Sequence, residues 1–97
     1  MIRHIVLFTV REGVDKDDPR VASAIDGLRA LEGTIGQIRQ WEVGVNFSDR
    51  PIATDYALVS GFDSRDDLAD YIAHPSHREV VALLEPVFTW VVCDYPA

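Results

Sequence analysis

The stretch Tyr71-Ile72-Ala73-His74-Pro75-Ser76-His77 contains two of the three histidines in this 97-residue chain. Pro75 disfavours helical geometry at His74 and suits the first turn of a new helix, so one helix should end near Ala73 and another begin at Pro75. Apolar residues recur at helical spacing on both sides of this break. The residues predicted to face inward are Leu68, Tyr71 and Ile72 before it, and His77, Val80, Val81 and Leu84 after it. A phenol and an imidazole in one interior each need a hydrogen-bond partner or a ligand.

Outward from this break, runs of β-branched and aromatic residues predict four strands, over residues 2–10, 38–45, 56–62 and 87–95. A first helix is predicted from Pro19 to Gly33, capped by Asp17 or Asp18, and Ser64 begins the second through a capping box. The order is β-α-β-β-α-β with the second helical element broken in two. This pattern predicts an α+β, ferredoxin-like fold in a single domain over residues 1–97, with a four-stranded antiparallel sheet.

The predicted strands carry apolar residues on both faces. In the first strand, His4, Val6 and Phe8 lie on one face, and Ile5 and Leu7 lie on the other. The helices of such a fold cover only one face of the sheet. We therefore expect the uncovered face to pack against a second copy of the chain in a C2 homodimer.

Composition excludes several classes of partner. A net charge of −7 argues against binding nucleic acid or an anionic membrane surface. No window approaches the roughly 18 apolar residues of a membrane span, and the run from Ile5 to Val10 is too short for a secretory signal. The single Cys93 cannot form an internal disulfide, so a reducing, cytoplasmic setting is expected.

Three short motifs together resemble the Dabb family, the stress-responsive dimeric α/β-barrel proteins. They are Met1-Ile2-Arg3-His4-Ile5-Val6-Leu7-Phe8, the His-Pro-x-His at residues 74–77, and Val92-Cys93-Asp94-Tyr95. The resemblance implies a homodimer in which two sheets pack face to face into a barrel. One plant relative, the olivetolic acid cyclase, performs an aldol-type condensation on a linear polyketide without metal or cofactor. Its site is similar to His4, Tyr71 and His77 here.

The residues themselves suggest the same chemistry. If the face of His4 meets the helices, His4, Tyr71 and His77 converge on one partly apolar cavity. We assign His77 as a base that abstracts a proton next to a carbonyl, Tyr71 as hydrogen-bond donor to the developing enolate oxygen, and His4 as orienting partner. The apolar wall is predicted from Val6, Phe8, Leu68 and Val81. A small, largely apolar or polyketide-like ligand needs an open pocket of roughly 300 Å³ or more.

Other interpretations remain open. Buried histidines and tyrosines usually satisfy backbone groups, which would fit a non-catalytic stress-response or interaction protein with a filled core. A cofactor-free monooxygenase of the same dimeric fold is a further alternative, by analogy of fold.

Metal binding, cofactors and the tryptophans complete the sequence-based expectations. No metal or cofactor is expected, because Pro75 spoils the helical geometry between His74 and His77 and no Cys or carboxylate lies at ligand spacing. His74 should be structural or exposed, and Trp41 and Trp90 should lie in the sheet or dimer core rather than against a ligand.

Overall fold

The computed structural model describes residues 1–97 and has the predicted order of elements. The strands are β1 (Ile2–Val10), β2 (Gln40–Val45), β3 (Tyr56–Phe62) and β4 (Phe88–Pro96). The helices are α1 (Pro19–Ala30), followed by a 3₁₀ turn (Leu31–Gly33), α2 (Arg65–Ala73) and α3 (Pro75–Leu84). The predicted break at Pro75 and the bounds of β1 and β3 are confirmed.

Two strands begin later than predicted because turn hydrogen bonds occupy the residues predicted to start them. Ile38 donates its N–H to Ile35 in a turn, so β2 begins at Gln40. Val87 donates to Leu84 in the turn that leaves α3, so β4 begins one residue later than predicted and ends at Pro96.

Side-chain caps fix where the first two helices begin. The Asp18 carboxylate accepts from the Arg20 N–H at 2.9 Å, so Asp18 rather than Asp17 caps α1. The Ser64 hydroxyl accepts from the Asp67 N–H at 3.1 Å, which confirms the predicted start of α2. Both contacts satisfy backbone donors that lack a partner within the helix.

The sheet is antiparallel throughout, with strand order β2-β3-β1-β4. Directly paired residues project to the same face, so the register aligns side chains in rows across the strands. A first row, which we call the polar row, contains Trp41, Ser60, His4 and Asp94. The next two rows contain Val43, Leu58, Val6 and Val92, and then Val45, Tyr56, Phe8 and Trp90. All three rows lie on the face that the helices cover.

The core lies between this face and the helices. His4, Val6 and Phe8 are buried there, as the alternation of β1 predicted, and so are Leu68 and Tyr71 from α2. Ile72 lies at the edge of this inward face: the residue is 46% exposed and still borders the space between the sheet and the helices. Leu68 and Tyr71 already orient α2 toward the sheet, and a further rotation of about 100° per residue carries Ile72 to the flank of the helix.

The opposite face of the sheet carries an apolar centre that no helix covers. Ile5, Leu7, Ala57, Val59, Val91 and Cys93 make up this open face. Leu7 is 37% exposed and Val91 is 65% exposed. The exposed apolar surface continues onto the β2–β3 loop, where Phe47 and Ile52 project into solvent and border a groove with Leu7 and Ala57.

None of the helices is long and apolar enough to span a membrane.

Candidate functional site

A cavity of about 200 Å³ lies between the helix-covered face of the sheet and helices α2 and α3. It is lined by His4, Val6, Phe8, Leu28, Leu58, Tyr71, Ile72, His77, Val80, Val81, Leu84, Trp90, Val92 and Asp94. The three residues predicted to be catalytic and three of the four predicted wall residues therefore border one space. The fourth, Leu68, is buried one helical turn before Tyr71 and borders a different pocket. The cavity is smaller than the 300 Å³ expected from the sequence.

The break at Pro75 is repaired by an exchange of hydrogen-bond partners. In a continuous helix the Ser76 N–H would reach the Ile72 carbonyl. Here the Ser76 N–H instead donates to His74 Nδ1 at 3.0 Å, and His77 Nδ1 lies 2.9 Å from the Ile72 oxygen. His74 is thus the N-cap of α3, in line with the structural role predicted for it. The imidazole of His77 donates a hydrogen bond to the Ile72 carbonyl, which the helix break leaves without the Ser76 N–H as its donor.

This junction determines the chemical form of His77. A carbonyl oxygen only accepts hydrogen bonds, so Nδ1 of His77 carries the proton and Nε2 is left with a free lone pair. Burial lowers the pKa of His77 more than the hydrogen bond to Ile72 raises it, and the neighbouring His4 and His74 lower it further. At neutral pH the side chain is therefore a neutral imidazole, the form that acts as a base.

The second histidine of the site, His4, is held by the edge strand. Its Nδ1 lies 2.5 Å from Oδ1 of Asp94, directly across the β1–β4 pair. The carboxylate accepts the Nδ1 proton, which again leaves Nε2 as the free ring nitrogen. On the other side, the fully buried Ser60 donates its hydroxyl to the His4 carbonyl oxygen at 2.8 Å. Both neighbours in the polar row thus fix the position of His4.

Tyr71 lies between the two histidines. Its ring centroid is 4.6 Å from that of His77 and 5.9 Å from that of His4, and Phe62 and Trp41 complete the packing. Burial alone raises the pKa of Tyr71 well above its ordinary value of 10. The phenol therefore stays protonated and can donate a hydrogen bond. A second donor lies next to it, because the buried Nε1 of Trp41 has no hydrogen-bond partner in the chain.

Comparison with known proteins identifies the family. Residues 2–97 match the stress responsive A/B barrel domain, Dabb. The chain belongs to the Dabb family. An uncharacterised protein of Streptomyces coelicolor is 48% identical over 95 residues, which cover 98% of each chain. A stress-response A/B barrel domain-containing protein of Arabidopsis thaliana is 34% identical over 88 residues, 84% of this chain but only 30% of the plant protein.

Solved structures share the fold of this Dabb chain. A dimeric ferredoxin-like protein of unknown function from Bacteroides fragilis superposes with a TM-score of 0.85 at 30% identity, over 99% of this chain and 95% of the other. The hydroxynitrile lyase of Passiflora edulis superposes with a TM-score of 0.81 at 21% identity, over 97% of this chain and 90% of the lyase. At that identity the likeness shows a common fold and nothing more.

Several cavity residues of this Dabb chain were not predicted from the sequence. Asp94, Val92 and Trp90 alternate along β4 and reach the cavity from the edge of the sheet. Trp90 was expected in the sheet or dimer core; it packs against the core beside Phe8, with ring centroids 5.9 Å apart, and it also borders the cavity. The alternation of Trp90, Val92 and Asp94 along β4 was visible in the sequence. The pairing of β4 with β1, which aligns Asp94 with His4, was not.

The titratable side chains of the Dabb site do not form a compact metal-binding group. No three or more His, Cys, Asp or Glu side chains come close enough together to hold a metal ion. His74 and His77 both use Nδ1 at the helix junction, as described above. The arrangement is suited to moving protons between imidazole, phenol and a bound molecule.

Proposed function

We propose that this Dabb protein is a homodimer that binds a small, largely apolar molecule in the cavity between sheet and helices. We further propose that it performs cofactor-free acid–base chemistry there, with proton abstraction next to a carbonyl as the first step. A reducing, cytoplasmic setting is part of this proposal. The observation that carries it is the convergence of His4, Tyr71 and His77 at one end of an otherwise apolar cavity.

The roles follow from the chemical form of each group. His77 acts as the base, because its neutral ring has a free Nε2 and borders the cavity. Tyr71 donates its hydroxyl proton to the oxygen that gains charge as the enolate forms, and burial keeps that proton in place at neutral pH. His4 orients the substrate through its own Nε2. Asp94 is a positioning residue, because it acts by holding the His4 ring.

The rest of the cavity supports binding of an apolar body. Eleven of the fourteen lining residues are hydrophobic, and Val6, Phe8 and Trp90 extend this surface away from the polar row. An interaction protein without a ligand would have this space filled by side chains. The hydroxynitrile lyase and the antibiotic biosynthesis monooxygenase show that the fold accommodates catalysis, although at 21% and 12% identity they do not indicate which reaction.

The open face supports the homodimer. Four strands of about eight residues present roughly 500 Å² of sheet surface, whereas a stable interface covers about 800 Å² on each partner. The exposed Phe47 and Ile52, which border the same groove as Leu7, supply additional apolar area. The related Bacteroides fragilis structure is described as dimeric.

Oligomeric state tests this part directly. The double substitution Leu7→Lys and Phe47→Ser should convert the dimer to a monomer, measured by light scattering after size exclusion. Leu83→Gln is the control, because Leu83 is a comparably exposed leucine on α3. A monomeric native protein would contradict the dimer proposal.

Catalysis is tested by deuterium exchange. Small ketones such as acetophenone are incubated with the protein in D₂O, and loss of the protons next to the carbonyl is followed by NMR. We expect exchange faster than in buffer, reduced at least about 100-fold by His77→Gln. Exchange at the buffer rate across a panel of ketones that do bind would reject the catalytic part and leave a binding protein.

A further inference from the structure

We infer that the cavity selects uncharged compounds of about the size of one ring and rejects carboxylates of the same shape. This inference rests on the proposed binding function and specifies the chemical class of its ligand. It follows from three observations: the volume of the cavity, the absence of cationic side chains in its lining, and the position of Asp94 at its polar end.

The volume limits the size of the ligand. A cavity of about 150 Å³ lined by aliphatic and aromatic side chains accommodates benzene. The space of about 200 Å³ found here therefore holds a single ring with about three further heavy atoms. Only one end of that space is polar, so one carbonyl or hydroxyl group can be matched, next to Tyr71 and the two histidines.

The lining offers no positive charge to a bound anion. No arginine or lysine contributes to it, and burial favours the neutral form of His77. The nearby Arg78 on α3 is exposed and borders an adjoining pocket that shares Ile72, His77 and Val81 with the cavity, but Arg78 itself is not in the cavity lining. Asp94 is the only carboxylate in the lining, and it lies at the same end as the groups that would meet the polar end of a ligand.

Most N–H groups at the N-terminus of α3 are already paired and do not replace this missing cation. Free N–H groups at a helix start commonly bind anions. Here the Ser76 N–H donates to His74 Nδ1, and the Arg78 N–H donates to the His74 carbonyl. The Ser76 and Arg78 N–H groups are thus taken by His74, and Ser76 is not part of the cavity lining.

The electrostatic penalty is large enough to measure. A carboxylate bound at the polar end would lie close to the Asp94 carboxylate, and two negative charges at such a short separation repel each other. Asp94 is partly exposed, so solvent and salt reduce this repulsion. We expect a carboxylate to bind at least about tenfold more weakly than an uncharged compound of equal size, with the ratio shrinking at high salt.

Acetophenone and benzoate form a suitable pair of probes, because they have the same number of non-hydrogen atoms and a similar planar shape. Each is titrated into the full-length protein at pH 7 and low salt, and the NMR signals of the His4, Tyr71 and His77 rings report occupancy of the cavity. Acetophenone should bind at least about tenfold more tightly. Asp94→Asn should reduce that ratio several-fold, whereas Asp26→Asn, which removes an equal charge from the exposed face of α1, should not change it.

The outcomes separate this inference from the function on which it rests. If acetophenone binds and benzoate binds as tightly or more tightly, charge selection is wrong and the binding function stands. If Asp94→Asn and Asp26→Asn change the ratio equally, net charge rather than Asp94 is responsible, which also overturns the inference. If neither probe nor any neutral single-ring ketone shifts the three ring signals, both the inference and the proposed binding function fail.

Discussion

Replacing Tyr71 with phenylalanine separates a functional hydroxyl from a structural one. The Tyr71 side chain is almost completely buried, and its ring packs against His77, Phe62, Trp41 and His4 at centroid distances between 4.6 and 5.9 Å. Phenylalanine keeps all of this packing. Only the hydroxyl is lost, and burial without a compensating partner is what raises its pKa.

The expected stability change follows from that environment. A buried hydroxyl that makes no hydrogen bond costs about 1 kcal/mol of folding free energy, whereas a hydrogen-bonded one contributes about 1 kcal/mol. Tyr71→Phe should therefore leave the free energy of unfolding unchanged or raise it by up to about 1 kcal/mol. The same substitution should slow deuterium exchange into a bound ketone by at least about tenfold, because the enolate oxygen loses its donor.

Urea unfolding measures the first effect. With a slope of about 1 kcal/mol per molar urea, the midpoint should stay constant or rise by up to about 1 M. Wild type and variant must be compared at one protein concentration, because dimerisation adds to the apparent stability. Tyr95→Phe, at an exposed position on β4, is the control. A midpoint lowered by about 1 M would show that the Tyr71 hydroxyl has a structural partner, and would refute the role proposed for it.

Three further predictions concern titratable groups. Burial lowers the pKa of His77 below its ordinary 6.5, so the rate of deuterium exchange into a bound ketone should fall on acidification with a midpoint below pH 6.5. A midpoint above that value would contradict a buried neutral base. Asp94→Asn removes the carboxylate that fixes His4, so ¹⁵N NMR should show a mixture of imidazole tautomers for His4. A single, unchanged tautomer would show that Asp94 does not position the ring. Asp55→Ala should lower the free energy of unfolding at pH 7 by about 2 kcal/mol, because Asp55 accepts from the Val10 N–H and pairs with Lys16, each at 2.8 Å. Burial opposes the charge of Asp55, but these hydrogen bonds outweigh it and hold its pKa below 3.8. The difference in unfolding free energy from wild type should therefore persist above pH 3.8 and disappear as the pH falls through the lowered pKa. A difference that does not change with pH would contradict this.

Local signals in the sequence predicted most of the fold. The proline break, the Ser64 cap and the period of two in β1 each depend on neighbouring residues, so each was readable from the chain alone. The apolar character of both sheet faces indicated the uncovered surface for the same reason. Ile72 is only partly buried because helical spacing defines a wide face, and the packing of Leu68 and Tyr71 decides which part of that face is fully buried.

The site was only partly predictable because it depends on non-local register. His4, Tyr71 and His77 could be placed on inward faces, but the contact between His4 and Asp94 requires knowing how β1 and β4 align across 90 residues of sequence. The tautomer of His77 depends on the exchange of donors at the helix junction, which no pattern of residue types reveals. Trp90 was assigned to the core because aromatic residues in strands usually pack there.

The arrangement of side chains in rows has a consequence for how such a protein can diversify. His4 and Asp94 occupy one row of the sheet, and the two rows beside it supply the apolar part of the sheet's wall of the cavity. Val92 and Trp90 belong to those rows and lie on an edge strand that pairs on only one side. Exchanging their side chains would alter which molecules enter while leaving the contacts of His4 with Ser60 and Asp94 in place. One polar row can therefore border cavities of different shape through changes at two positions on the border of the sheet.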